Sequence, residues 1–203
     1  MAIQSEAPPS STRASDKRER ILRAAIDTFA RKGYFNARVT DVAAEAGVAD
    51  GTIYLYFESK EDLLFTIFQD SMVRFLGQLR RELETIEDPA RRLERIVAFH
   101  LEAIGADREL AVVSQVELRH TQKFMAKFSH GELSDYLGMI RQTIQQGQKL
   151  GAFRDDIDPQ LAAKAIFGMI DEMVTSWILS EKAEPPASVA GPLTRMILRG
   201  LRG

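Results

Sequence analysis

Between Thr40 and Lys60 the sequence gathers groups suited to holding phosphate: Thr40, Thr52 and Tyr54 offer hydroxyls, Lys60 an ammonium, and Gly51 a bare stretch of backbone. Hydroxyls reach phosphate oxygens or base edges, and a glycine lets the main chain approach a duplex closely. Just upstream, from Arg13 to Arg38, eight Lys and Arg side chains stand against three carboxylates. That local excess suits a polyanionic partner even though the whole chain carries a net charge of −2, because placement matters more than the sum. A solvated helix face would show the same run of charge, so the run alone does not decide.

Other chemistry is thinly represented. There is no cysteine, which excludes disulfides, thiol nucleophiles and thiolate metal sites. His100, His120 and His130 lack the i, i+4 spacing of a helical metal site, and neither a phosphate loop nor a nucleophile elbow occurs. No catalytic residue, metal ligand or cofactor is expected, and the histidines read as surface or packing residues. A second polar group is more telling: Gln115, Glu117 and Arg119 interrupt an apolar helix, and Asp171 and Glu172 interrupt another. Buried charge is costly unless paired. An ion pair of Arg119 with Asp171 or Glu172 and a contact to a bound ligand both fit.

The elements that position these residues are helical nearly throughout, since apolar residues recur at a period near 3.6 and sustained alternation is missing. Residues 1–14 are small, polar and proline-containing, without the apolar run of a signal peptide, and are expected to form a flexible arm. Asp16 with Glu19 resembles a capping pair for a first helix closed by Gly33. Thr40 is expected to cap a short second helix that Gly47 ends, Asp50 a third reaching about Phe57, and Ser59 with Asp62 a long fourth. Longer helices follow: 88–104, 107–119, 122–150, 159–180 and 187–202. The greasiest run, Ala162 to Leu179, is broken by Lys164, Asp171 and Glu172, so no membrane span is expected and the protein is placed in the cytoplasm.

Two short helices across a tight glycine turn make a helix-turn-helix. In the third helix Ile53 and Phe57 share one side, which must pack, leaving Thr52 and Tyr54 for the major groove. The helix N-termini near Thr40 and Lys60 present amides to phosphate. An aromatic plug closing a small bundle would use the same Tyr54–Phe57 run.

The stretch VTDVAAEAGVADGTIYLYFESKEDLL, Val39 to Leu64, resembles the helix-turn-helix signature of the TetR family. The Gly47-Val48 turn, the Gly51-Thr52 entry, the Tyr54-x-Tyr56-Phe57 run and the Ser59-Lys60-Glu61 restart occur together at the family spacing. The resemblance implies phosphate contacts from Thr40, Tyr54, Tyr56 and Lys60 and base reading by Thr52 and its neighbours. Asp50 departs from the serine or basic residue of many relatives and is expected to cap inward. The implied fold is all-α with about nine helices: a helix-turn-helix domain over residues 15–60 and a ligand-binding and dimerisation domain over 61–203.

In that second domain, the segment from Gly151 to Asp171 also looks like the one that opens the dimer-forming helix of TetR proteins. Its helix and the last one, with Leu193, Ile197 and Leu198, carry more apolar surface than one domain can hide, so a homodimer is expected. Two recognition helices about 34–36 Å apart then read successive major grooves of palindromic double-stranded operator DNA. An inducer pocket is expected among the middle helices, with Phe99, Ile104, Val113, Gln115, Leu118, Arg119, Phe128, Phe167, Ile170, Met173 and Trp177 as candidates. Aromatic and Met residues at helical spacing also make plain core.

Glu109 to Arg119 and Ala165 to Leu179 resemble the fatty-acid-degradation regulators of the TetR family, which use long-chain acyl-CoA as inducer. This implies an acyl chain in an apolar tunnel and CoA phosphates near Arg119, with Arg108 and Lys123 as further cations. The expected function is repression of fatty-acid degradation genes, relieved by acyl-CoA. Alternatives are a repressor of an efflux or catabolic operon answering another apolar small molecule, and an architectural or division-control DNA-binding protein without an inducer.

Overall fold

The computed structural model describes residues 10–117, 131–180 and 184–202. They form two compact units, one ending at Ile67 and one starting at Phe68.

In the first unit α1 (Ser10–Lys32) packs on α2 (Val39–Ala46), which meets the one-turn α3 (Asp50–Ile53). The core is built from Ile21, Ala25 and Phe29 of α1 with Val42, Ile53, Phe57, Leu63, Leu64 and Ile67, all buried. Gly33 and Gly47 end α1 and α2 at φ +76° and +63°, the left-handed stops that glycine adopts without strain. Two ion pairs join α1 to α2: Arg31 to Glu45 at 2.7 Å and Lys32 to Asp41 at 2.9 Å.

Several helix starts differ from the sequence reading. The α1 backbone is already helical at Ser10, inside the expected arm, and Asp16 lies within the helix and does not cap it. From Ser10 to Lys32 neither glycine nor proline interrupts the chain, whereas Pro8 and Pro9 precede it, so the last local barrier to helix is Pro9. Thr40 is the second residue of α2, and the cap position falls on Arg38, whose amide donates to the Asp41 carboxylate at 2.9 Å. Asp50 is likewise the first residue inside α3, after Ala49, where its charge favours the helix dipole without a cap bond. Helix α3 stops at Ile53, short of Phe57, and residues 54–56 form a turn. Ser59 does start α4 (Lys60–Leu83): its Oγ accepts from the Asp62 amide at 3.0 Å while Asp62 accepts from the Glu58 amide.

The division between units falls within α4, at 67/68, seven residues beyond the expected 60/61. Leu63, Leu64 and Ile67 on its first two turns are buried and belong to the first unit. A domain boundary follows which core a side chain joins, and a helix start does not mark that.

The second unit adds α5 (Pro89–Gly105), α6 (Arg108–Val112), α7 (Glu132–Lys149), α8 (Pro159–Leu179) and α9 (Ala190–Arg202). Helix α5 is central and touches α7, α8 and α9. Asp88, Asp107 and Asp158 cap α5, α6 and α8 with side-chain carboxylates. Beyond Val112 the chain continues as a π-helical turn, Val113–Glu117, and the last helix is entered through a 3-10 turn, Pro186–Val189. Among the described residues no helix is long and apolar enough to cross a membrane.

Candidate functional site

In the first unit Thr40, Gly51 and Tyr54 are exposed, and Thr52 and Tyr56 are half-buried. The turn after α3 lifts Tyr54 and Leu55 outward, with Leu55 81% exposed, while Ile53 and Phe57 anchor it. A Cβ on Gly51 would meet no atom within 4 Å, so nothing inside the fold requires glycine there. The surface therefore offers hydroxyls, an apolar tip and open backbone side by side, the mixture that reads phosphates, base edges and thymine methyls.

Lys60, expected to meet a phosphate, also makes contacts within its own chain. Its ammonium donates to the carbonyls of Tyr34 at 2.8 Å and Ala37 at 2.9 Å, and sits 4.4 Å from the Tyr34 ring centroid. It ties the α1–α2 connection to the start of α4. Loop carbonyls with no helical partner attract the nearest cation, and here that cation is Lys60.

The second unit encloses a cavity of about 450 Å³, within the size range of small-molecule sites. One wall is the C-terminal part of α4: Phe68, Ser71, Met72, Phe75, and Arg74 with Gln78. Opposite it stand His100, Ala103 and Ile104 of α5, Leu133 and Tyr136 of α7, Phe167 and Asp171 of α8, and Leu110, Ser114 and Gln115 around the π turn. The sets on α4, α5, α7 and α8 follow helical i, i+3 or i+4 spacing, as one face turned inward must.

Of the residues expected to line a pocket, Ile104, Gln115 and Phe167 do so. Phe99, Val113 and Ile170 are buried outside the lining, and Met173 packs against the core. Phe99 lies about 100° around α5 from His100, so the face that admits His100 turns Phe99 away, to 5.1 Å from the Phe75 ring. Trp177 instead carries Arg108 over its ring at 4.9 Å. That guanidinium donates to the carbonyls of Ile178 and Ser180 at 2.8 and 3.1 Å, so Arg108 caps the end of α8. Leu118, Arg119, Lys123 and Phe128 lie outside the described residues.

Polar groups gather at one side of this otherwise apolar space. Gln115 Nε2 donates to Asp171 Oδ1 at 3.0 Å, while Arg119, the expected ion-pair partner of Asp171 or Glu172, lies outside the described residues. His100 Nδ1 lies 2.9 Å from Tyr136 Oη, both residues buried. Burial pushes the imidazole down to about 4, against a smaller opposing pull from Asp171, and pushes the phenol well above its usual range. Both are neutral at pH 7. Arg74 is the only cationic side chain among the described lining residues. The sequence reading missed Arg74 and the whole α4 wall. The signal was available: Phe68, Met72 and Phe75 continue an apolar stripe past the point where the first unit ends.

Residues 21–67 match the family of bacterial regulatory proteins of the tetR type, and residues 68–200 match the C-terminal region of YsiA-like proteins. The chain is 30% identical to the fatty acid metabolism regulator protein of Bacillus subtilis, over 89% of its own length and 93% of that protein. Among solved structures, the fatty acid degradation regulator FadR of Bacillus halodurans superposes with a TM-score of 0.86 at 35% identity, covering 98% of this chain and 99% of that one. The Bacillus subtilis FadR in complex with stearoyl-CoA superposes with a TM-score of 0.85 at 30% identity, covering 90% and 98%.

Proposed function

The chain belongs to the TetR family of transcriptional regulators, and from that premise we propose that it is a dimeric repressor released from its operator by long-chain acyl-CoA. The observation that carries this is the cavity of the second unit, apolar on most sides and lined along one wall by α4. The same helix begins at Lys60 behind the helix-turn-helix turn. An acyl chain filling the space bears directly on Met72 and Phe75, and any shift of α4 carries to its start. A hundredfold loss of operator affinity needs about 2.7 kcal/mol of coupling, an ordinary allosteric magnitude.

Thr40, Gly51, Thr52, Tyr54 and Tyr56 serve DNA binding in this reading, and Lys60 holds the scaffold beneath them. Arg74 is the described cation suited to a CoA phosphate. The stearoyl-CoA complex of the Bacillus subtilis FadR supports the ligand class.

The test is thermal stabilisation of the purified protein by palmitoyl-CoA, oleoyl-CoA, free CoA, palmitate and a flavonoid. Operator release is then measured on DNA that the protein selects from a random pool. A ligand at about a hundredfold excess over its Kd adds about 2.7 kcal/mol. Stabilisation and release by the acyl-CoAs alone support the reading. If a flavonoid acts and acyl-CoA does not, the ligand is wrong and the regulator class stands.

A further inference from the structure

His100 carries a hydrogen-bond donor that no group among the described residues accepts. Tyr136 is buried at 1% exposure, and the His100 ring is the sole hydrogen-bonding partner of its hydroxyl among the described residues. Among the described residues the hydroxyl has one proton and one acceptor in reach, His100 Nδ1. The reverse arrangement, with Nδ1–H donating to the phenol oxygen, leaves unpaired the proton of the more deeply buried of the two groups, Tyr136 at 1% exposure against 6% for His100, the costlier alternative. A neutral imidazole has one N–H, and with Nδ1 accepting, that hydrogen sits on Nε2.

Nε2 has no acceptor among the described residues. It is also not among the side-chain atoms sealed away without a partner, which are Thr28 Oγ1 and Arg92 Nε. His100 is only 6% exposed, and the space it faces is the cavity. Phe75 and Phe167 flank its ring, with centroids at 5.6 and 6.2 Å, and beside such apolar groups a neutral hydrogen bond is stronger than in water. Buried donors are nearly always satisfied, so a donor left open in an apolar cavity calls for a ligand acceptor.

We infer that His100 Nε2–H fixes the carbonyl oxygen of an acyl thioester in this cavity, and that Tyr136 is the positioning residue that sets the imidazole tautomer. The inference rests on the acyl-CoA reading and sharpens it: the site recognises the thioester carbonyl as well as the apolar chain.

The experiment compares palmitoyl-CoA with S-hexadecyl-CoA, the thioether that keeps chain and CoA but lacks the carbonyl. Wild type is expected to bind the thioester about tenfold more tightly. The double variant His100→Phe/Tyr136→Phe removes both partners, so neither is left unpaired. It is expected to bind the two ligands alike, at the thioether level. In parallel, nitrogen-15 NMR of the free wild-type protein reads the tautomer, the His100 signal being the one absent from the double variant. An Nε2–H tautomer that passes to Nδ1–H in part in Tyr136→Phe supports the positioning role. Equal binding of both ligands by wild type, or an Nδ1–H tautomer, overturns the inference and leaves acyl-CoA sensing intact. Binding of neither ligand overturns acyl-CoA sensing and this inference with it. If the double variant does not fold, the wild-type ligand ratio decides alone.

Discussion

Lys60, Arg108 and Arg92 each hold carbonyls of their own chain: Lys60 those of Tyr34 and Ala37, Arg108 those closing α8, and Arg92 those of Leu83 and Ile86. In a helical protein the carbonyls at loops and helix ends lack partners, and a cation bonded to one makes a stronger hydrogen bond than a neutral donor would. Residue type therefore announces a positive charge without saying which side of the surface it serves. His100 shows the complementary case, a titratable group that burial silences. Its imidazole titrates near about 4 when folded and near 6.5 when free, so the folded state binds fewer protons as the pH drops. Its share of stability is complete above pH 6.5 and is lost as the pH falls toward 4, roughly 3 kcal/mol in all. Urea unfolding across that window is expected to show wild type weakening relative to His100→Gln. Parallel curves for the two proteins would mean that folding does not lower the affinity of the imidazole for its proton.

Helices were the legible elements, and their ends were not. Gly33, Gly47, Ser59, Asp88 and Pro159 mark boundaries by local chemistry that survives folding. Asp16, Thr40 and Asp50 carry the same chemistry, yet lie within helices that begin earlier, because capping competes with any upstream residue that can be helical. The cavity was less legible for a related reason. A projection at 100° per residue assumes an α-helix, whereas Val113–Glu117 is π-helical. A wider turn shifts the register, so that Ser114 and Gln115 line the cavity and Val113 is buried outside its lining. Two glycines of α7 put this packing to a quantitative test. A Cβ on Gly147 would fall 2.0 Å from a Phe153 ring carbon, while one on Gly138 meets nothing within 4 Å. Gly147→Ala must expel or tilt the Phe153 ring and is expected to destabilise by about 1–3 kcal/mol. Gly138→Ala, at an open mid-helix position, is expected to stabilise by about 0.5–1 kcal/mol. Opposite signs in denaturant unfolding are the expected result; a neutral Gly147→Ala would mean that Phe153 does not lie against α7.

At the scale of the whole molecule, the dimer proposed above needs a surface that pairs with itself, and an exposed face of α8 is suited to that. Leu161 and Leu179, 64% and 77% exposed, are separated by five helical turns and so stand on one face. Between them on that face lie Ala165, Gly168 and Ser176, small residues that let a second helix approach closely, with Lys164 and Glu172 as its charges. Met196 of α9 adds a further exposed apolar side chain. Gly168 separates folding from pairing, because a Cβ there meets no atom of the described residues within 4 Å. Gly168→Glu is expected to leave the helical content and the melting behaviour of the separate chain intact. In a symmetric pair the substitution places two carboxylates in one apolar contact, so sedimentation is expected to show monomers at concentrations where wild type is dimeric. Operator affinity should fall with it, since one recognition helix then reads one half-site. A Gly168→Glu protein that remains dimeric and binds DNA as wild type does would place the twofold contact on another face. The reading heads would then be spaced by some helix other than α8.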